Sequence, residues 1–198
     1  DAGVNLSEGM RRSFGKALVD IADTFGSRPG FSFVNDRGKP NAYATSETKV
    51  PGTWGTVLFG EELFERQMKA FDDFGMSVVA ICAHEFGHIL QFRTGANTRL
   101  MEGARTVKLV ELQADFLAGY YLGRRQRSGP SLNLRGAGRT FANLGDTAFN
   151  SRNHHGTSEE RVRAAESGYK LGYDGGVRSM QELVATSSEF VQSNFRRI

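Results

Sequence analysis

The hydrophobic positions fall into segments of two periods. Leu6, Met10, Phe14, Leu18, Ile21 and Phe25 recur every three or four residues, which predicts an amphipathic helix closed by Gly26 and Arg28-Pro29-Gly30. Three short runs follow: Phe31 to Val34, Asn41 to Thr45 and Thr56 to Phe59. They are separated by Asn35-Asp36-Arg37-Gly38 and Val50-Pro51-Gly52 turn chemistry and predict strands, although alternation is weak in all three. Helical spacing returns from Phe64 to Phe92, with a break near Gly75 and a stop at Gly95. Another helix is predicted from about Ala104 to Arg125. A short one near Arg135 to Leu144 lies in a Gly-rich connection, and two more cover Ser158 to Lys170 and Ser179 to Asn194.

This order predicts an α+β protein, with a small, mostly antiparallel sheet packed on the apolar helix around Met76 to Leu90 and the other helices around it. With 198 residues, no internal repeat and no linker, one domain over 1–198 is expected. It divides into an N-terminal helix (1–30), the sheet (31–60), two long helices (61–126), and the Gly-rich connection with the C-terminal helices (127–198).

Composition narrows the class. A hydrophobic fraction of 39% with 24% charged residues is ordinary for a soluble globular chain and excludes disordered and fibrous classes. No apolar run approaches the roughly 18 residues of a membrane-spanning helix. The net charge of +3 is carried by dispersed residues such as Arg11-Arg12, Arg124-Arg125 and Arg196-Arg197. None forms a basic stripe with interleaved aromatics, so a solvated surface is expected and not a nucleic-acid partner. Cys82 is the only cysteine, which rules out an intrachain disulfide, and its apolar neighbours predict a buried thiol. The first residue is Asp1 and not Met, from a removed targeting segment or a trimmed chain. An exported location, periplasmic or secreted, is slightly favoured over a cytoplasmic one.

The chemistry concentrates in His84-Glu85-Phe86-Gly87-His88, inside the most apolar helix. Residues four apart on a helix share a face with β-carbons about 5–6 Å apart. Two imidazoles at that spacing can reach one Zn2+ ion through bonds of about 2.0–2.1 Å. Glu85, turned by about 100°, cannot share that seat and is instead placed to act as general base on a metal-bound water. On the next long helix Glu111 and Asp115 are again four apart beside Leu112, Phe116 and Leu117. The 22 residues between His88 and Glu111 leave room to turn near Gly95 and Gly103 and lay one helix on the other. Glu111 then supplies a third ligand, and Asp115 is placed to accept the free ring N–H of a zinc-bound histidine. Three protein ligands with an open position suit catalysis, and a structural zinc would be closed by four. The alternative for these carboxylates is a solvated acidic face.

At these residues the chain resembles the gluzincin-type metallopeptidases, in which a His-Glu-x-x-His helix is joined by a Glu-x-x-x-Asp helix. It is more closely similar to the bacterial neutral zinc metallopeptidases. That likeness rests on the HEFGH helix running into Leu90-Gln91, and on Glu111-Leu112-Gln113-Ala114-Asp115 followed by Ala118-Gly119. It also takes in Leu144-Gly145-Asp146 and His155-Gly156-Thr157-Ser158-Glu159-Glu160-Arg161-Val162. The chain departs from that family's pattern at Ile89, where a further His is common, and in having no cysteine from Asn41 to Phe59. The resemblance implies a zincin-like fold, His84, His88 and Glu111 as zinc ligands, Glu85 as catalytic base, Asp115 as the carboxylate behind a ligand, and a peptide or protein substrate. Other readings are a zinc hydrolase of non-peptide amides or esters, and a non-catalytic protein that retains the metal.

His155 has two readings. It could reach the cleft and stabilise an oxyanion, or Thr157 and Glu160 could simply start a helix through a capping box that carries His155 along. His154 is expected on the surface or in a loop. Tyr43, Tyr120 and Tyr121 are candidate oxyanion donors whose alternative is a core or rim position. By analogy with zincins, Thr56 to Phe59 is expected at the sheet edge flanking the cleft, where a peptide could add as a strand. The segment Gly129 to Gly156 is a candidate lid.

Overall fold

The computed structural model describes residues 4, 6–70, 74–129, 131–148 and 151–196. Of the sequence features above, the residues 71–73 before Gly75, Arg197 of the last basic pair, and 130 and 149–150 of the candidate lid lie outside the described residues. Among those described, the chain order is α1 (Glu8–Phe25), β1 (Gly30–Val34), β2 (Ala42–Thr45), β3 (Thr56–Gly60), α2 (Glu61–Ala70), α3 (Met76–Thr94), α4 (Ala96–Met101), α5 (Lys108–Ser128), α6 (Arg135–Asn143), α7 (Ser158–Asp174) and α8 (Met180–Phe195). The α+β expectation holds, with eight helices and a three-stranded sheet among the described residues. No helix of these residues is long and apolar enough to cross a membrane. The six-residue α4 has no usable periodicity, and the sequence does not predict it. Helix α5 begins about one turn later than its apolar pattern suggests.

The sheet has the order β1-β3-β2, with β1 parallel and β2 antiparallel to β3. It is therefore mixed and not mostly antiparallel. Strand β3 is the centre of the sheet and not its edge, and all five of its residues are buried. A strand covered on both faces shows a continuous apolar run, which is why Thr56 to Phe59 lacks alternation. The open edges belong to β1 and β2. Phe31 and Phe33, two apart and so on one face of β1, meet Phe14 of α1, Phe59 of β3 and Phe64 of α2 in a ring cluster with centroid separations of 5.3–6.3 Å. That cluster binds α1 and α2 to the sheet.

Helix α3 is buried almost all round from Met76 to Gln91. A helix without a polar face is an interior helix, and α3 is the element the others cover. Gly95, at φ 69°, ends it in the left-handed conformation that glycine adopts without strain. The neighbours come close through small residues. A Cβ on Gly87 of α3 would be 3.3 Å from Cα of Ala114 on α5, so the two long helices meet at the middle of HEFGH. Helices α5 and α7 touch backbone to backbone. A Cβ on Gly119 would overlap the Ala165 carbonyl, one on Gly123 the Tyr169 carbonyl, one on Gly168 the Phe116 carbonyl, and one on Gly172 the Tyr120 carbonyl. Each helix thus contributes a Gly-x-x-x-Gly pair to the other's surface, and the four residues set how near α7 comes to α5.

The candidate lid contains α6, whose Ala137 and Phe141 are in the core. That part of the connection is a packed helix. The predicted capping box is present: Glu160 N–H donates to Thr157 Oγ1 (3.2 Å) and Thr157 N–H to Glu160 Oε2 (3.0 Å). Tyr120 and Tyr121 are core residues, and the Tyr121 hydroxyl donates to Asp20. Tyr43 is exposed on the β2 edge.

Candidate metal centre

Helix α3 carries His84 and His88 on one face, and α5 brings Glu111 against it. The two Nε2 atoms are 3.1 Å apart, and Glu111 spans them, with one carboxylate oxygen 3.5 Å from His84 Nε2 and the other 3.4 Å from His88 Nε2. A tetrahedral ion with bonds of about 2.05 Å has its ligand atoms about 3.3 Å apart. The three separations lie near that value, and this group could hold a metal.

The hydrogen-bond network decides which nitrogens face the centre. His84 Nδ1 lies 2.8 Å from Asp115 Oδ1, and a carboxylate can only accept, so Nδ1 carries the proton. His88 Nδ1 lies 2.7 Å from Gln91 Oε1. The amide nitrogen of Gln91 is turned away, donating to the Val110 carbonyl (2.7 Å) and Gln113 Oε1 (3.0 Å), so Oε1 accepts from His88. With these assigned tautomers both Nε2 lone pairs converge beside a carboxylate, an arrangement that requires a cation. Without a metal, a proton serves. Burial opposes charge on His84, but its bonds to Asp115 and Glu111 outweigh that and raise its pKa to about 10. A metal ion bound here would displace this proton. Burial would push the Glu111 carboxyl up, yet His88, His84 and Arg161 hold it far below the usual range, so it stays ionised.

Glu85, beside His84 on α3, is buried, and no hydrogen bond among the described residues holds its carboxylate. Burial pushes its pKa upward against the pull of His84 and His88. A carboxyl poised above its ordinary range is better matched to taking and returning a proton near neutrality. His88 and Glu111 keep 12% and 17% of their side-chain surface exposed against 6% for His84, so solvent approaches from their side.

In the sequence Arg161 stands only within the stretch that carries the resemblance, with no role given to it there. It projects from α7 and is 2% exposed. Its Nη2 donates to Asp115 Oδ1 at 2.8 Å and its Nη1 to the Leu144 carbonyl at 3.2 Å, with Nη1 3.7 Å from Glu111 Oε2. Nε and Asp115 Oδ2 are also 2.8 Å apart, but the N–H is not aligned for a hydrogen bond, so this contact is an ion pair only. Asp115, wholly buried, is thus held between His84 and Arg161.

His155 is not among the three converging groups. Its backbone N–H (2.8 Å) and Nδ1 (3.0 Å) both meet Asp146 Oδ2, and its ring is half exposed. The loop holding it clamps the start of α5. Val107 N–H donates to the Arg152 carbonyl, Asp146 N–H to the Gly156 carbonyl, and Gly156 packs on Leu112, next to Glu111. His154 lies in the same loop, the second of its two expected settings, and is buried there, with Nδ1 2.5 Å from Asp146 Oδ1. Asp146, which takes both histidines, is the reason.

An α+β fold with a buried His/His/Glu group that could hold a metal ion is the class that fold and site define. No protein-family description, curated protein or solved structure matches this chain.

Proposed function

We propose that the chain is a zinc-dependent peptidase in which His84, His88 and Glu111 hold the metal. The observation that carries this reading is the convergence of two Nε2 lone pairs and one carboxylate on a single point, one residue along the helix from a buried glutamate. The order of the motifs supports it, since HEFGH followed by Glu-x-x-x-Asp on the next long helix is the gluzincin arrangement. Two imidazole nitrogens and a carboxylate are a donor set that suits zinc. Bound zinc lowers the pKa of its water and polarises the scissile carbonyl.

Glu85, buried beside His84, would accept a proton from the attacking water on a carboxylate oxygen and return it to the leaving amine as the C–N bond breaks. Asp115 keeps His84 in the tautomer that turns Nε2 to the metal. His155, its Nδ1 on Asp146 and its ring half exposed, would serve the oxyanion that forms during attack. The test is cleavage of a diverse peptide library by the zinc-loaded protein beside its Glu85→Gln variant, read by mass spectrometry. Cuts made by the wild type and missing from the variant are expected. No cuts by either protein, or the same cuts by both, would overturn the peptidase reading.

A further inference from the structure

Behind His88 a line of buried amides crosses three helices. The Val184 carbonyl on α8 can only accept, so the end of Gln113 facing α8 is its nitrogen, 3.3 Å away. The same nitrogen is shared with Ser187 Oγ (2.9 Å) and Ser188 Oγ (2.7 Å). Gln113 Oε1 is thereby turned to α3, where it accepts from Gln91 Nε2, and that nitrogen also donates to the Val110 carbonyl. Gln91 Oε1 is left facing His88 Nδ1 at 2.7 Å. Both glutamines are sealed, at 1% and 0% exposure. A buried amide is costly unless hydrogen-bonded, so two of them sealed in apolar surroundings must satisfy each other and their neighbours. Every polar atom of the two amides is committed to this line.

We propose that Gln91 and Gln113 are positioning residues, which with the serines of α8 hold His88 in its Nδ1–H tautomer and aim its Nε2 at the metal seat. Helix α8 is thus part of the metal site without supplying a ligand. This rests on the metal-binding reading above. His84 and His88 are oriented by separate tethers: one is ionic, through Asp115 to α7, and the other is neutral, through Gln91 and Gln113 to α8. The neutral tether adds no charge to the seat.

The experiment measures zinc affinity by chelator competition, and the ligand-field spectrum of the cobalt-substituted protein, for the wild type, Gln113→Leu, Ser187→Ala/Ser188→Ala and Phe195→Ala. Losing a partner behind a metal-bound histidine typically weakens binding about 10–100-fold. Gln113→Leu is expected to fall in that range with a shifted cobalt spectrum, and the double serine variant to fall less in the same direction. Phe195→Ala removes a buried α8 side chain that makes no hydrogen bond to the line of amides. It should lower stability and leave zinc affinity and spectrum unchanged. Wild-type affinity in folded Gln113→Leu, or an equal loss in Phe195→Ala, would overturn the proposal. If Gln113→Leu does not fold, the double serine variant decides in the same way. A wild type that takes no zinc would overturn the metal reading itself, which separates the two failures.

Discussion

The guanidinium of Arg161 and the carboxylate of Asp115 are 46 residues apart in the chain and 2.8 Å apart in space. That carboxylate also accepts the Nδ1–H of His84. A buried carboxylate facing a histidine alone would be an almost uncompensated charge, and burial of such a charge is costly. Arg161 supplies the counter-charge, and its bond to the Leu144 carbonyl ties the pair to the loop that ends in His155.

Arg161→Leu is expected to destabilise the fold by about 3–5 kcal/mol, because one half of a buried pair is removed. Arg161→Lys should restore only part of this, since an ammonium cannot reproduce the planar fork. Denaturant unfolding of the three proteins tests it. A leucine variant as stable as the wild type would show that Asp115 does not depend on Arg161.

Glu111→Ala and Glu85→Gln should separate binding from turnover. The first removes one of three converging donors and should weaken zinc by more than the roughly 100-fold upper range of an outer partner. The second should retain one zinc per chain. Metal analysis after dialysis reads both. Equal zinc in Glu111→Ala and wild type would remove Glu111 from the ligand set.

The close helix contacts predict opposite effects for chemically equal changes. Gly119→Ala forces a methyl into the Ala165 carbonyl and should cost about 1–3 kcal/mol or more. At Gly15 of α1 nothing lies within 4 Å of where a Cβ would stand, so Gly15→Ala should stabilise by roughly 0.5–1 kcal/mol. Gly87→Val should press α5 away from α3 and reduce zinc affinity. Thermal unfolding and zinc competition give the three answers, and a neutral Gly119→Ala would contradict the backbone contact.

Asp146 predicts an acid-side effect. Burial would raise its carboxyl, but the His155 N–H, the His154 ring and the Ala148 N–H outweigh that and hold it well below the usual range. A carboxyl lowered in the folded state contributes stability that is complete above the unfolded value, about 3.9, and is lost as pH falls below it toward the folded value. The wild type should therefore exceed Asp146→Asn in unfolding free energy at about pH 6, with the margin shrinking below about pH 4. A margin that stays constant from about pH 6 to about pH 3 would mean that Asp146 gains nothing from ionisation.

The pieces legible in the sequence share a property: they are local. His84 with His88 and Glu111 with Asp115 are pairs four apart on helices, and helical geometry alone puts each pair on one face. Gly26 and Gly95 as helix ends, and the Thr157–Glu160 box, are short-range in the same sense. Arg161 escapes such a reading because nothing adjacent marks it. Its signal is subtler, for it shares a helix face with Ala164, Ala165, Gly168 and Gly172, a buried small-residue face on which an arginine must have a partner. Gln91 and Gln113 carry the same kind of signal, as amides on apolar faces. His154 lies in a loop, as the sequence allows, but its burial there could not be read because the partner, Asp146, is eight residues earlier across that loop.

By itself the sequence determined every described helix but the short α4, the main turns, and two chemical pairs, because 3.6-residue periodicity and glycine stops act within a few residues. Tertiary structure decided the rest. It set β1 parallel and β2 antiparallel on either side of β3, brought Glu111 to the two histidines through the Gly87–Ala114 contact, and drove Arg161 onto Asp115 through the glycines of α5 and α7. Those outcomes depend on which backbones can approach closely and on which buried charges and amides must find one another. Such requirements are met between elements, by residues tens of positions apart, and no window of the chain contains them.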